Sequence, residues 1–179
     1  MGLHDRTKQL MYLPQGGDPE TVNLSSLQQP GMLGGRFIHP HATEGNKEYQ
    51  LVQTDSTMTV NPYDGATAWW TDKANYKVST MVGTAGRGNV AGVFVNAATP
   101  GNYTCIQVEG YHDSVKFIDA PTATPTTAGL FVIPSATNAK ADCLAAGSAA
   151  TYPVMGRSAG TYNAPNATCA VMLGVPEIP

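Results

Sequence analysis

The sequence predicts an all-β protein, a small sandwich or barrel preceded by an extended N-terminal arm. Three observations carry this expectation. Residues 90–95 and 103–109 are β-rich runs flanking the turn Thr99-Pro100-Gly101-Asn102, and a third run follows at 115–118. Within the second run Tyr103, Cys105 and Gln107 alternate with Thr104, Ile106 and Val108, the period of two of a pleated strand. The 19 glycines and 13 prolines, set among Ala, Thr, Ser and Asn, supply many turns and leave little room for long helices.

In chain order, residues 1–48 hold 9 of the chain's 23 charged residues and show neither helical nor strand periodicity over a useful length. Gly16-Gly17-Asp18-Pro19, Gln29-Pro30-Gly31 and Gly34-Gly35 divide them into pieces too short for a core of their own. Between the breaks lie apolar tags: Leu10, Met11, Tyr12 and Leu13; Val22, Leu24 and Leu27; Met32 and Leu33; Phe37 and Ile38. A solvated, flexible terminus lacks such tags, so residues 1–48 are expected to form an arm ordered against a neighbouring subunit. Residues 49–179 are expected to form the β domain.

That domain opens with a strand at 49–52, and Met58 and Val60 read as a second short strand before the turn at 61–65. Residues 66–70 form the next strand. Its adjacent Trp69 and Trp70 face opposite sides, one into the core and the other outward as a self-association hot spot. The alternative is that both rings are partly buried against loops. Residues 76–82 alternate as a strand, and the Gly-rich segment 83–89 leads into the hairpin. Beyond it, 130–133 and 170–175 read as strands, with one short helical turn near 139–146.

At 13% charged residues and a net charge of −3, the chain offers no basis for binding nucleic acid or an anionic membrane, which points to another protein surface as partner. From 120 to 176 only Lys140, Asp142 and Arg157 carry charge, a surface better suited to an assembly than to a lone monomer. Cys105, Cys143 and Cys169 are odd in number, widely spaced and set among apolar or small residues, so they are expected to be buried reduced thiols. No apolar run follows Met1 and no segment approaches a span of about 20 apolar residues, so a soluble protein without a visible secretory leader is expected. The sequons at Asn102 and Asn166 are then accidental.

Four motifs suggest chemistry, and each lacks a part that the chemistry needs. Gly156-Arg157-Ser158-Ala159-Gly160 matches a nucleophile elbow, but no helix-forming segment and no histidine follow Ser158. The loop at 83–88 lacks the lysine and hydroxyl that complete a phosphate-binding loop. His39 and His41 could present two imidazoles to a metal, with His112 or Glu44 adding a ligand, but no spacing fixes a complete set. Glu109 and Asp113 could pair as glycosidase carboxylates, yet Gly110 between them is expected to break the strand. The expectation is a protein without catalytic residues, cofactor or metal.

The short motifs in residues 49–175 carry a family resemblance. They are Tyr49-Gln-Leu-Val-Gln-Thr, Trp70 with Asp72, Tyr76-Lys-Val-Ser, Arg87-Gly-Asn-Val-Ala-Gly-Val-Phe, Pro100-Gly-Asn-Tyr, Ile106-Gln-Val-Glu-Gly and Val171-Met-Leu. Together they resemble the capsid decoration, or cement, proteins of tailed bacteriophages. That resemblance implies a small β-barrel or β-tulip domain, homotrimeric, made in the host cytoplasm and bound to the exterior of the virion head. There it clamps neighbouring subunits of the major capsid protein. The arm at 1–48 matches no family pattern, and its capsid-binding role rests on its composition. A second function class is a carbohydrate- or receptor-binding module of a phage tail or head fibre, with Trp69, Trp70, Tyr111 and Tyr63 as an aromatic sugar platform.

Overall fold

In the computed structural model, the described residues are Pro19, 33–83 and 86–176. They are built almost wholly from strands: β1 (Arg36–His41), β2 (Gly45–Thr54), β3 (Thr67–Asp72), β4 (Lys77–Ser79), β5 (Val90–Phe94), β6 (Tyr103–Lys116), β7 (Phe131–Pro134), β8 (Ala141–Cys143), β9 (Gly156–Ser158) and β10 (Thr168–Gly174). Among the described residues the only helical element is a 3-10 turn at Gly86–Asn89. The all-β expectation holds, and the helical turn expected near 139–146 is instead a turn followed by β8.

The strands join into one sheet in the order β1-β2-β4-β3-β5-β6-β10-β9-β7-β8, and β2 pairs in addition with β6. That extra pairing closes β2, β4, β3, β5 and β6 into a ring, with antiparallel neighbours everywhere except the parallel β2–β4 pair. Closure leaves no open edge among these five strands, while β1 and β8 remain the end strands of the sheet. The other half, β6-β10-β9-β7-β8, bends back until Phe117, just past β6, bridges to Ala141. The Ile118 N–H then donates to the Ala141 carbonyl at 3.0 Å.

The two halves share β6, and its sequence explains how one strand serves both. Residues 103–109 pair with β2, and residues 109–116 pair with β10. At the handover Gly110 takes φ +96°, and a Cβ there would lie 2.6 Å from the Asn46 carbonyl oxygen. Gly110 therefore does not end the strand, as its type suggested. It bends the strand at a register shift where any side chain would strike β2. The runs at 103–109 and 115–118 thus belong largely to one element.

Three buried clusters follow from this bend. Cys105 joins Phe37, Tyr49, Leu51 and Val95, while Ile106 and Val108, on the opposite face, join Val52, Ala68, Val78 and Phe94. Beyond the bend Val115 and Phe117 pack with Val132, Met155, Val171 and Leu173. The two halves are also stitched together at the β7–β8 turn. Ala139 is buried there, accepts from the Thr67 N–H at 3.1 Å and donates to the Thr80 carbonyl at 2.7 Å.

The sheet begins at Arg36, inside the stretch whose composition marked it as arm. Phe37 is buried and stacks on Tyr49 with ring centroids 5.6 Å apart, so it belongs to the core of its own chain. Ile38, the next residue in β1, points outward and is 42% exposed. Six residues are too few, with Pro40 among them, to display a strand period without the partner strand β2. Met58 and Val60 form no strand, although Met58 is buried. The arm residues Leu10, Met11, Tyr12, Leu13, Leu24 and Leu27 lie outside the described residues.

Candidate docking face

The second half of the sheet presents a row of large side chains on its outer surface. Antiparallel register sets Met172 of β10 opposite Tyr111 of β6 and Arg157 of β9, and sets Arg157 opposite Phe131 of β7. Strand alternation sends Val171, Leu173 and Val132 into the core, which leaves these four outside. Met172 is 50% exposed and Phe131 36% exposed. Neighbouring strands lie about 4.8 Å apart, so the row spans roughly 14 Å.

The row is held in shape from below and within. Gly156 underlies it: a Cβ there would come 2.2 Å from the Met172 carbonyl oxygen, so β9 and β10 can pair this closely only at glycine. The Arg157 guanidinium lies 4.2 Å from the Phe131 ring centroid and donates to the Gly129 carbonyl at 3.2 Å. At the other end, Tyr111 and Met172 border an open depression of about 390 Å³ with Thr43 and Glu44.

Two charged groups elsewhere in this half are held by local contacts. Lys140 is paired with Asp119 at 2.8 Å. Asp142 accepts from the Thr122 N–H and hydroxyl at 2.8 and 2.7 Å and from its neighbour's N–H, that of Cys143. Exposed Glu109 and Asp113 flank Tyr111 along β6, and the Tyr-Met-Arg-Phe row is the aromatic and apolar part of the face. Those residue types are enriched at the centres of protein interfaces. The sequence carried a partial signal, an isolated Arg157 in an otherwise uncharged tract. Which residues flank it was decided by register.

The residues singled out from the sequence disperse over the molecule. Trp69 is 1% exposed and Trp70 half-buried, packed edge-on to Tyr76 with centroids 6.4 Å apart. Trp69 is therefore core, which removes it from both the self-association surface and the sugar platform. Only Trp70 keeps an exposed part. Ser158 is buried, its hydroxyl accepting from the Leu130 N–H at 3.0 Å and donating to the Thr127 carbonyl at 3.3 Å. It acts as a strap between loop and strand. Glu109 and Asp113 are exposed four residues apart on one strand, roughly 13 Å by strand rise, beyond the separation that glycoside hydrolysis requires.

His41 accepts from the Glu44 N–H at 3.2 Å, and Glu44 pairs with Lys47 at 2.7 Å, so this group organises the β1–β2 turn. His112 is buried, its Nε2 is 3.5 Å from Asp64 and its Nδ1 accepts from the Ser114 N–H at 3.3 Å. Among the described residues no three His, Cys, Asp or Glu side chains come together as a metal site.

Cys105, Cys143 and Cys169 are free and buried, as their apolar contexts indicated. Burial pushes the Cys105 thiol up to about 12, and Cys143 also to about 12, with nearby Cys169 and Asp142 adding to the effect of burial. Native protein is therefore expected to resist a disulfide-exchange reagent at pH 8 and to release thiol equivalents only in denaturant. Rapid labelling of the native protein would contradict this. A raised thiol pKa favours the folded state fully below the ordinary value of 9.0. That contribution is lost as pH climbs from there toward 12, so stability should fall across this window.

No family model, curated protein or solved structure matches the chain.

Proposed function

We propose that this protein is a structural virion protein that binds the outside of a phage head and cements neighbouring major capsid subunits, with the Tyr111–Met172–Arg157–Phe131 row as its docking face. The single observation behind this reading is that row, four strands wide on the outer face of the second half of the sheet. A clamp on a neutral, preassembled shell needs this kind of surface, because burial of apolar and aromatic groups supplies affinity without a strong long-range field. The sequence resemblance to cement proteins supports the same reading.

The mechanism is linkage. A clamp that binds the expanded shell and not its dissociated subunits stabilises the shell by mass action, and repeated clamps on one lattice act together. Each apolar contact contributes on the order of 25 cal/mol per Å² buried, reduced by the entropy of ordering any flexible segment. A homotrimer would present three such rows, and residues 1–32 would add reach across capsid subunits.

Cosedimentation with expanded heads of the virus that encodes it tests the proposal. Met172→Asp and Phe131→Asp, both at exposed positions, are expected to weaken shell binding by about 30-fold or more while leaving the β-sheet circular dichroism unchanged. Undiminished binding by both variants would sink the assignment of this face. Truncation should remove residues 1–32. Cutting at 47 would also delete β1 and its buried Phe37, so a loss of binding there would be confounded with unfolding.

A further inference from the structure

A second site lies at the opposite end of β6, some eight residues or about 27 Å along the strand from Tyr111. Here Gln53 of β2 pairs in register with Lys77 of β4 on one side and Tyr103 of β6 on the other. With Leu33, Asn75 and Tyr76 these residues line an open groove of about 570 Å³. The row from Lys77 to Tyr103 is roughly 10 Å long, the span of a disaccharide, and the volume falls within the range of small-molecule sites.

The groove wall is held under strain. Tyr76 adopts φ 52°, the left-handed region that side chains other than Gly, Asn and Asp seldom occupy. Its ring is fixed on one side by Gly34, where a Cβ would lie 2.1 Å from Cζ, and by the edge-on contact with Trp70. The turn before it is tied by Asp72, which accepts from the Asn75 N–H at 3.2 Å and side-chain amide at 2.7 Å. A backbone outlier this well supported, placed at the lip of a concavity, is an arrangement in which strain holds binding groups in position.

The polar inventory identifies the ligand class. The Gln53 amide N–H donates to the Gly101 carbonyl at 2.9 Å, which leaves the Gln53 side-chain oxygen turned to accept. Asn75 likewise spends its amide N–H on Asp72 and keeps its oxygen. Lys77 brings donors, and the two tyrosine hydroxyls can do either. Asp72 of β3 stands opposite Lys77 in the β3–β4 register, so the cation of the groove has a carboxylate beside it and an anionic ligand is disfavoured. Alternating donors and acceptors beside an aromatic ring, without net positive charge, suit a ligand that carries vicinal hydroxyls on one edge and C–H groups on its face.

We propose that the Lys77–Gln53–Tyr103 groove binds a neutral oligosaccharide, with a sugar ring packed on Tyr103 and its hydroxyls bonded to Gln53, Asn75 and Lys77. This site is independent of the docking face and uses neither Trp69 nor Tyr111. The test is saturation-transfer NMR on the full chain with cellobiose, maltose, lactose and N,N′-diacetylchitobiose, with Trp fluorescence as a second readout because Trp70 abuts Tyr76. At least one sugar is expected to bind saturably. Tyr103→Leu, which keeps an apolar contact to the Cys105 cluster, should weaken binding at least tenfold. The exposed or half-buried changes Asn75→Ala and Lys77→Ala should weaken it severalfold without touching the core, and Met172→Asp should leave it unchanged. Absence of transfer to all four sugars, or binding that survives both Tyr103→Leu and Lys77→Ala, overturns the proposal. Either result leaves the docking-face proposal standing.

Discussion

Gly65→Ala is expected to destabilise the protein by about 3–5 kcal/mol, read from the urea midpoint at unchanged denaturant slope. Gly65 has φ +81°, and a Cβ there would sit 2.1 Å from the Ser114 carbonyl oxygen, far inside contact distance. Relief requires the turn to move, and the turn is a junction. The Gly65 N–H donates to the Phe94 carbonyl at 2.8 Å, its own carbonyl accepts from the Lys116 N–H at 2.8 Å, and the Phe94 N–H donates to Ala66 at 2.8 Å. The substitution therefore adds left-handed strain of about 1–3 kcal/mol and also threatens the hydrogen bonds that tie this turn to β5 and β6. Gly147→Ala separates the two effects. Gly147 has φ +82° but no neighbour within 4 Å, so only the conformational cost of about 1 kcal/mol should appear. Equal losses at the two positions would refute the steric argument at Gly65.

Trp69→Ala is expected to cost about 3–5 kcal/mol. Against a typical total stability of about 5–15 kcal/mol, that loss leaves a marginal fold. Trp69 is the largest of the fully buried side chains and stands between Ser79 of β4 and Val90 of β5, so its removal opens a cavity in the packed interior. Its indole N–H finds no acceptor among the described residues. Trp69→Phe should therefore cost only about 1–2 kcal/mol, because it keeps most of the packing and discards a donor that is already unsatisfied. Half-buried Trp70→Ala should fall well short of Trp69→Ala. Thermal denaturation of the three variants ranks them, and a Trp70→Ala loss equal to that of Trp69→Ala would contradict the burial assignment.

Much of this was legible locally. The alternation at 103–108, the turn at 99–102 and the apolar settings of the three cysteines each depend on a few consecutive residues, and each matches the structure. The adjacent tryptophans were also legible as a pair facing opposite sides, since that follows from strand geometry alone. What could not be read was which of the two faced inward. β5 and β4 flank β3 and decide it, and they come from outside that segment.

The short strands failed for a related reason. β8 and β9 are three residues each, too short for any period to show, and β1 takes its identity from pairing with β2. Gly110 illustrates the limit most clearly. By residue type it is a breaker, and only the Asn46 backbone pressed against it turns the break into a bend.

The sequence by itself determined the all-β class, the central hairpin, the burial of the thiols and the scarcity of charge after residue 119, because composition and near-neighbour alternation suffice for each. The tertiary structure alone decided the additional β2–β6 pairing that closes the ring, the bend that lets β6 serve two cores, and the two surface rows Tyr111–Met172–Arg157–Phe131 and Lys77–Gln53–Tyr103. The physical reason is register. A slip of one residue would turn any of these side chains to the opposite face, and register is fixed by hydrogen bonds between strands far apart in the chain.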